Sequence, residues 1–296
     1  GAGYGAPRGA PMGGPLAPKG APGGEIRLNY VGEGGELFGK MFVGYLLTMI
    51  TLGIYMPWFI CSMLEFFSSK TSAGPTQRGQ LQFKFQGEGA ALFGLMFVGY
   101  LLTMITLGIY GPWFMCKMTR YMAENSVAVA QDGTQYKLRF TGEGGDLFGT
   151  AFVGYLLTMI TLGIYLPWFV CKLRKWFFSH TQIDENGQPV GGFDFVGEGG
   201  ALFGKWIVGV LLTIVTVGIY MSWFQVAITK FNAEHTRINV RGVSYAASFN
   251  GTGGDLFVLR LVGMLLTMIT FGIYMFWFLT KLIKFNVTNH VIRRAS

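Results

Sequence analysis

One unit of about 55 residues occurs five times in tandem, and this repetition constrains the fold more than any other feature. Gly32, Gly87, Gly142, Gly197 and Gly251 mark equivalent positions at spacings of 55, 55, 55 and 54 residues. The stretch VGYLLTMITLGIY is identical in the first three units, and the last two units carry close variants of it. The copies are therefore expected to form equivalent substructures that pack against one another.

The repeats divide the chain into six predicted segments. Residues 1–24 combine Gly, Ala and Pro without a periodic apolar face, which predicts a disordered tether. The predicted repeats are 25–80, 81–135, 136–190, 191–245 and 246–296. Because the chain begins with Gly rather than Met, the sequence leaves open what precedes Gly1.

Each repeat contains a long apolar window. The chain is 51% hydrophobic and 13% charged, whereas soluble domains average about 25% charged residues. Residues 41–64, 95–116, 150–171, 206–229 and 261–280 contain no ionisable side chain except Tyr and Cys. About 20 apolar residues are enough to cross a bilayer, so the windows predict an integral membrane protein. The basic residues lie beside the windows rather than on one continuous face, which disfavours nucleic acid as a partner.

We predict that each window folds as a helical hairpin rather than as one crossing helix. A glycine such as Gly53 lies mid-window, and Pro57, Pro112 and Pro167 follow four residues after it in the first three units. The linkers carry three, four, four and four basic residues, without the alternation that single crossings favour. The arms are short, so a wedge entering only one leaflet is the alternative to a hairpin that reaches the far interface. The predicted hairpin tips contain Gly53, Tyr55, Pro57, Trp58, Gly108, Tyr110, Pro112, Trp113, Gly163, Tyr165, Pro167, Trp168, Gly218, Tyr220, Trp223, Gly272, Tyr274 and Trp277.

Small residues recur at close to one-turn spacing along the first half of each window. Such residues let membrane helices approach closely, so we predict a helix-packing face, with a polar pore lining as the alternative. The positions are Gly44, Thr48, Thr51, Gly99, Thr103, Thr106, Gly154, Thr158, Thr161, Gly209, Thr213, Thr216, Gly263, Thr267 and Thr270.

The segments between the windows predict β-hairpins. Residues 81–85 and 136–140 alternate between apolar and polar, and Asp132-Gly133 and Asn186-Gly187 are turn signals. The GEGG glycines that follow predict a positive-φ turn between strand and helix. We further hypothesise that residues 285–292 pair with residues 26–30 and close the five units into a ring. The predicted class is thus a membrane α+β fold, in which each unit is a β-hairpin plus a membrane-inserted helical hairpin, giving about ten short membrane helices.

Few residues suggest chemistry. Cys61, Cys116 and Cys171 occupy one equivalent position in three repeats without metal-ligand spacing, so buried thiols are expected. The three histidines lie in linkers without a recognisable catalytic partner. A carboxylate inside the GEGG loop disfavours phosphate binding. We therefore expect no enzymatic activity, no cofactor and no metal.

The third repeat carries two motifs that identify a family resemblance. The pattern F-x-G-x-G-x-E-L-F is matched by Phe140, Gly142, Gly144, Asp146, Leu147 and Phe148. The pattern L-L-T-x-x-T-L-G-I-Y-x-P-W is matched by Leu156, Leu157, Thr158, residues 161–165, Pro167 and Trp168. With these motifs, the unit resembles the bacterial family of multi-pass membrane proteins called domain of unknown function 898. The resemblance implies a location in the bacterial inner membrane and implies no reaction.

The leading functional hypothesis is a non-enzymatic scaffold or accessory subunit of a larger membrane assembly, with the linkers and β-hairpins on the cytoplasmic side. Near-identical repeats supply repeated surfaces but no unique polar site. The expected partners are the lipid bilayer and either further copies of the chain or other subunits of a membrane complex. The alternative is a channel or transporter with a pore on the pseudo-fivefold axis, lined by the threonine and tyrosine positions.

Overall fold

The computed structural model describes residues 25–295, and the predicted tether of residues 1–24 lies outside this part of the chain. Within the described residues, each unit alternates strands with a pair of helices. The strands are β1 (Glu25–Tyr30), β2 (Thr71–Thr76), β3 (Gly79–Phe85), β4 (Ser126–Ala130), β5 (Gln135–Phe140), β6 (Thr181–Glu185), β7 (Gln188–Phe195), β8 (Thr236–Val240), β9 (Val243–Phe249) and β10 (His290–Arg294). The helices are α1 (Gly34–Ile50), α2 (Met56–Ser69), α3 (Gly89–Ile105), α4 (Gly111–Glu124), α5 (Gly144–Ile160), α6 (Leu166–Ser179), α7 (Gly199–Val215), α8 (Met221–Glu234), α9 (Gly253–Ile269) and α10 (Met275–Thr288).

The strands form one closed antiparallel barrel in the order β1-β10-β9-β8-β7-β6-β5-β4-β3-β2. Neighbouring strands are joined alternately by a tight turn and by a helix pair, so the tight turns lie at one end and the helices at the other. β1 pairs with β10, with Ile26 opposite Ile292, which confirms the hypothesis that the terminal strands close the ring. The C-terminal strand is shorter than predicted, because residues 285–288 belong to α10. Closure leaves no unpaired edge among the ten strands of residues 25–295.

The tight turns of the barrel follow from local backbone preferences. Asn186 and Gly187 have φ values of 47° and 86°, as expected for an Asn-Gly turn of a β-hairpin. The β8–β9 turn has a similar conformation at Arg241 and Gly242, with φ values of 50° and 76°. An arginine at this position gives no turn signal, so only the glycine marks this turn in the sequence.

The predicted insertion of helical hairpins in a membrane is wrong. Within residues 25–295, no helix combines the length and the apolar character that a membrane crossing requires. The first helix of each unit has 17 residues and the second has 14. Each apolar window of the sequence therefore includes residues of two helices and of the turn between them. Each of these two helices is too short to cross a membrane.

The fold class consequently differs from the predicted membrane α+β class with about ten membrane helices. Its organising element is the closed ten-stranded sheet, and the short helix pairs are insertions between adjacent strands. Each helix contacts the next along the chain, and α10 contacts α1, so the helices also form a closed ring. One cluster of buried side chains lines the inside of the barrel, and smaller clusters lie between helices and strands.

The GEGG loops do not adopt the predicted positive-φ turn. Among the described glycines, those with positive φ lie in β-turns and helix–helix turns, and Gly32, Gly34 and Gly35 are not among them. Glycine at position 34 is instead required by close approach, because a Cβ atom there would lie 2.8 Å from the Trp277 Cα atom. A Cβ atom at Gly32 would collide with the Tyr30 side chain. Packing between elements, rather than a special backbone conformation, explains these glycines.

Candidate functional site

The turn between the two helices of each unit has a repeated and unusual backbone. In the first unit, Leu52 and Gly53 have φ values of 50° and 93°, and the Gly53 N–H donates to the Thr48 carbonyl oxygen at 2.8 Å. Glycine tolerates positive φ, whereas a residue such as leucine adopts it at a cost of about 1 kcal/mol or more. The fourth unit has a β-branched residue, Val217, at φ 49°, where the steric penalty is larger.

The strained residue of each turn is also the most exposed apolar residue of its unit. Leu52, Leu107, Leu162, Val217 and Phe271 are between 93% and 98% exposed. Apolar residues two positions before and after them are also exposed. We call the whole set the apolar turn surface: Ile50, Leu52, Ile54, Ile105, Leu107, Ile109, Ile160, Leu162, Ile164, Val215, Val217, Ile219, Ile269, Phe271 and Ile273. Exposure of this kind on every repeat is typical of a surface that contacts an apolar phase or partner.

The predicted tip tryptophans join one unit to the next. Trp58 stacks on Tyr55, with ring centroids 6.2 Å apart, and packs against Phe93 of the second unit. A Cβ atom on Gly89, the first residue of α3, would lie 2.7 Å from the Trp58 Cα atom. The same tryptophan–glycine contact recurs between successive units, where Trp113 packs on Gly144, Trp168 on Gly199 and Trp223 on Gly253. The contact of Trp277 with Gly34 joins the last unit to the first and closes the ring.

The other predicted tip residues shape the start of the second helix. Pro57, Pro112 and Pro167 lie in the first turn of α2, α4 and α6, as predicted from their position after the glycine. The hydroxyls of Tyr110 and Tyr274 each accept a hydrogen bond from a lysine seven residues later. Lys117 donates to the Tyr110 hydroxyl at 2.9 Å. Equivalent tyrosines are Tyr55, Tyr165, Tyr220 and Tyr274, and the turn glycines are Gly53, Gly108, Gly163, Gly218 and Gly272.

The small-residue stripe packs the two helices of one unit together. A Cβ atom on Gly44 would collide with the Phe59 ring of α2, and Gly99, Gly154, Gly209 and Gly263 each approach the equivalent phenylalanine. The Thr48 hydroxyl donates to the Gly44 carbonyl oxygen at 2.7 Å. The same bond is made by Thr103, Thr158, Thr213 and Thr267. These hydroxyls are therefore used within their own helices.

The second threonine of the stripe also holds the turn. The Thr106 hydroxyl donates to the Leu102 carbonyl oxygen at 2.7 Å and accepts the Tyr110 N–H at 2.9 Å. Thr51, Thr161, Thr216 and Thr270 make the same pair of bonds. This threonine links the end of one helix to the beginning of the next.

The two threonines of a unit should differ in their effect on stability. We expect Thr106→Val to lower the free energy of unfolding by about 1 to 2 kcal/mol, because the Tyr110 N–H loses its acceptor. The matched change Thr103→Val removes only a bond within the helix, so we expect a change within about 0.5 kcal/mol. Urea unfolding of both variants in the same detergent measures the difference. Equal losses would contradict the assigned role of Thr106.

The tight-turn end of the barrel carries a buried ionic cluster that the sequence did not indicate. Glu185 is 6% exposed, and its Oε1 atom lies 3.0 Å from Arg78 and 2.7 Å from Arg241. Arg78 also pairs with Asp132 at 3.5 Å. The two guanidinium groups and two carboxylates balance in charge. These residues come from turns that are distant in sequence, so only the closed barrel brings them together.

A cavity of about 600 Å³ lies inside the barrel. Its walls are almost entirely apolar and include Leu28, Phe83, Leu138, Ile183 and Ile238, which come from five different strands. Side chains can fill the interior of an eight-stranded barrel, whereas a ten-stranded barrel is wider. The barrel interior therefore provides an apolar site, which hydrophobic patterning along single strands does not reveal.

Cys61, Cys116 and Cys171 are free and buried, as expected. Burial raises the pKa of the Cys116 and Cys171 thiols, which keeps them protonated at neutral pH. The Cys61 Sγ atom lies 3.5 Å from the Tyr121 hydroxyl. Within residues 25–295, no group of three or more His, Cys, Asp or Glu side chains is arranged to hold a metal ion.

The fold and its joints define a class of protein in which four β-hairpins and the pair of terminal strands close into a barrel that carries a ring of five helix pairs. Residues 25–76, 80–133, 135–188 and 191–248 match the family model described as a bacterial protein of unknown function, DUF898. These segments cover more than half of the chain, so the chain belongs to this family. The match confirms the resemblance found in the motifs of the third repeat. The fifth helix pair, α9 and α10, lies beyond the last matched segment.

Curated relatives match part of the chain. It is 32% identical over 140 residues to the inner membrane protein YjgN of Salmonella typhimurium strain LT2, which covers 44% of this chain and 33% of that protein. It is 34% identical over 94 residues to the inner membrane protein YjgN of Escherichia coli O157:H7, covering 31% and 22% respectively. The matches thus span about a third or less of the length of these relatives. No solved structure matches the chain.

Proposed function

We propose that this chain is an inner membrane protein that acts without catalysis, as a scaffold or accessory subunit of a larger membrane assembly. The observation that carries the proposal is the apolar turn surface, whose fifteen side chains are 55% to 98% exposed. Leaving so many apolar side chains in water is unfavourable, at about 25 cal/mol per Å² of apolar surface. Contact with lipid removes this cost. The two relatives described above are both named inner membrane proteins, which supports this proposal.

In this proposal the apolar turn surface contacts lipid, and the tight-turn end of the barrel faces the cytoplasm. The tight turns carry the charged residues Arg78, Asp132 and Arg241. The linkers of all repeats carry similar numbers of basic residues, which favours one common side under the positive-inside rule. The five equivalent units then present five equivalent surfaces to further copies of the chain or to other subunits.

The contacts of the threonine stripe favour a scaffold over the alternative of a channel. A pore lining needs polar groups that are free to contact ions or water. The stripe hydroxyls instead donate to carbonyl oxygens of their own helices, as at Thr48 and Thr103. The cavity inside the barrel has apolar walls, which are also unsuited to ion passage.

Extraction of the full chain in native lipid particles tests this function. We expect a defined stoichiometric assembly, made of several copies of the chain or of the chain with other membrane subunits, that stays together through size-exclusion chromatography. An inner membrane protein of similar size, extracted with the same tag, is the control for chance association. The chain should also give no selective conductance in planar bilayers. A reproducible selective conductance that Thr48→Val and its equivalents abolish would overturn the scaffold in favour of the channel.

A further inference from the structure

Arg174, on α6, is a partly buried cation without a counter-charge. Within residues 25–295 it is the one arginine that is neither exposed nor engaged in a hydrogen bond or an ion pair. Its Cζ atom lies 5.8 Å from the centroid of the Phe195 ring. Burial lowers the pKa of the guanidinium, but arginine stays protonated in proteins. Burying a charge without a partner is unfavourable, so the unused N–H donors of Arg174 indicate a missing anion.

The guanidinium lies where the barrel cavity opens toward the helices. Two repeats earlier, the residue equivalent to Arg174 is Leu64, which lines the cavity. Phe193 also lines the cavity and is two residues before Phe195 on β7. Phe178, one turn after Arg174 on α6, packs against both of these rings. Arg174 therefore lies beside the mouth of the cavity, at the helix end of the barrel.

The other polar residues of the mouth favour an anionic group. Ser68, Thr71, Lys84 and Ser126 line the cavity at the helix end of the barrel. Each of the three hydroxyls already donates to a carbonyl oxygen three or four residues earlier. Lys84 is exposed and has no ion pair or hydrogen bond within residues 25–295. None of the described residues that line the cavity is Asp or Glu, so the charge at the mouth is positive.

The rest of the cavity fits a hydrocarbon chain. Its volume of about 600 Å³ lies within the usual range for small-molecule sites. Tyr136 and Tyr245 line it, but their hydroxyl oxygens are buried away from it, so they present carbon atoms to the cavity. A suitable ligand thus has an anionic end at the helix end of the barrel and an apolar remainder inside it. The apolar walls include Leu138, Ile183 and Ile238.

We propose that the barrel binds a single-chain lipid anion, with its acidic head group at Arg174 and its hydrocarbon chain inside the cavity. Carboxylate and phosphate oxygens both match the planar fork of N–H donors of an arginine. A fatty acid and a lysophosphatidic acid are two sources of this chemistry. The proposal does not rest on the scaffold role, since Arg174 and the cavity are separate from the apolar turn surface.

Photolabelling of the delipidated full chain in detergent tests the proposal. Four probes carry the same diazirine on a 16-carbon chain: a fatty acid, a lysophosphatidic acid, a primary alcohol and a trimethylammonium salt. We expect at least one of the two anionic probes to label cavity residues such as Leu138 and Ile183 at saturable 1:1 stoichiometry. The alcohol and the cation should need at least about tenfold higher concentrations, because neither forms charged hydrogen bonds with Arg174. The anionic probe with the lower half-saturating concentration identifies the source of the ligand.

Arg174→Leu separates recognition of the head group from general apolar binding. Leucine is the residue of the first repeat at this position, Leu64, and the change removes an unpaired charge. The midpoint of thermal unfolding without ligand should therefore be unchanged or higher. The half-saturating concentration of the anionic probe should rise about tenfold, and that of the alcohol should stay the same.

Two further variants control for the structural effect of the leucine. Arg174→Gln removes the charge but keeps a polar side chain, and it should show the same loss of anion binding. Lys175→Leu removes an exposed cation from the next residue of α6 and should change the binding of neither probe.

Three results would overturn the proposal. Equal half-saturating concentrations of the anionic probes and the alcohol in the unchanged chain would show that no charge is recognised. Labelling confined to the apolar turn surface would show that the probes only coat the exterior. Unchanged binding of the anionic probe in both Arg174 variants would mean that the guanidinium does not contact the head group.

Discussion

Replacing Leu52, Leu107, Leu162, Val217 and Phe271 together with asparagine is expected to lower binding of the chain to phospholipid vesicles by at least about 100-fold. Each side chain is 93% to 98% exposed, so lipid contact could cover nearly its whole surface. Full burial of such a side chain contributes about 1.5 to 3 kcal/mol, and tenfold in affinity corresponds to about 1.4 kcal/mol. If each of the five side chains lost only half of this burial free energy, the affinity for vesicles would still fall by more than about 100-fold.

The same substitutions should leave the fold intact. The exposed side chains make little packing contact that could be lost, and asparagine adopts positive φ more readily than leucine, valine or phenylalanine. We therefore expect an unchanged or slightly higher midpoint of thermal unfolding. Flotation with phosphatidylethanolamine and phosphatidylglycerol vesicles measures binding, and circular dichroism measures stability.

A matched control separates apolar character from the identity of the side chain. Methionine at all five positions keeps an apolar group and should keep vesicle binding near that of the unchanged chain. Equal binding of the asparagine and methionine variants would contradict the assignment of the apolar turn surface to lipid, and another part of the chain would then have to make that contact.

Gly89→Ala should be strongly destabilising, whereas Gly94→Ala on the same helix should not be. An alanine Cβ atom at position 89 would lie 2.7 Å from the Trp58 Cα atom, so relief requires movement of backbone in one of two units. Overpacking typically costs 1 to 3 kcal/mol, and we expect about 3 kcal/mol here. At Gly94 no atom lies within 4 Å of the added Cβ, and alanine in an exposed helix position stabilises by up to about 1 kcal/mol.

Thermal unfolding of the two variants in one detergent compares these effects directly. The ring has the same joint at Trp277 and Gly34, where α10 of the last unit meets α1 of the first. Gly34→Ala should therefore resemble Gly89→Ala in its loss of stability. A loss below about 0.5 kcal/mol for Gly89→Ala would mean that the joints between units adjust easily and do not hold the ring of helices together.

Much of the local structure follows from patterns that span only a few residues. The Gly53 turn, the proline in the first turn of the following helix and the Asn186-Gly187 hairpin each depend on intrinsic backbone preferences. The inner faces of the strands follow the two-residue alternation of segments such as 81–85. These features are recognisable without any knowledge of the neighbouring units.

The candidate site could be predicted only in part. The sequence assigned the Gly99 and Thr106 positions to a helix-packing face, with a pore lining as the alternative, and Gly99 does pack against Phe114 of the paired helix. The hydroxyl groups instead bond within their own helix, because a carbonyl oxygen four residues earlier is always within reach. The exposed Leu107 beside them was missed, because apolar residues inside an apolar window do not stand out.

The sequence by itself determined the fivefold repetition, the alternation of strands with helix pairs and the pairing of the two terminal strands, because each depends on local periodicity or on the need to pair a free sheet edge. The tertiary structure alone decided that Trp58 packs on Gly89 of the next unit, that Arg78 and Arg241 meet at Glu185, and that Tyr136 lines a cavity inside the barrel. Those features depend on where one element lies relative to another after the barrel has closed. Composition and periodicity describe each segment separately and carry no information on that placement.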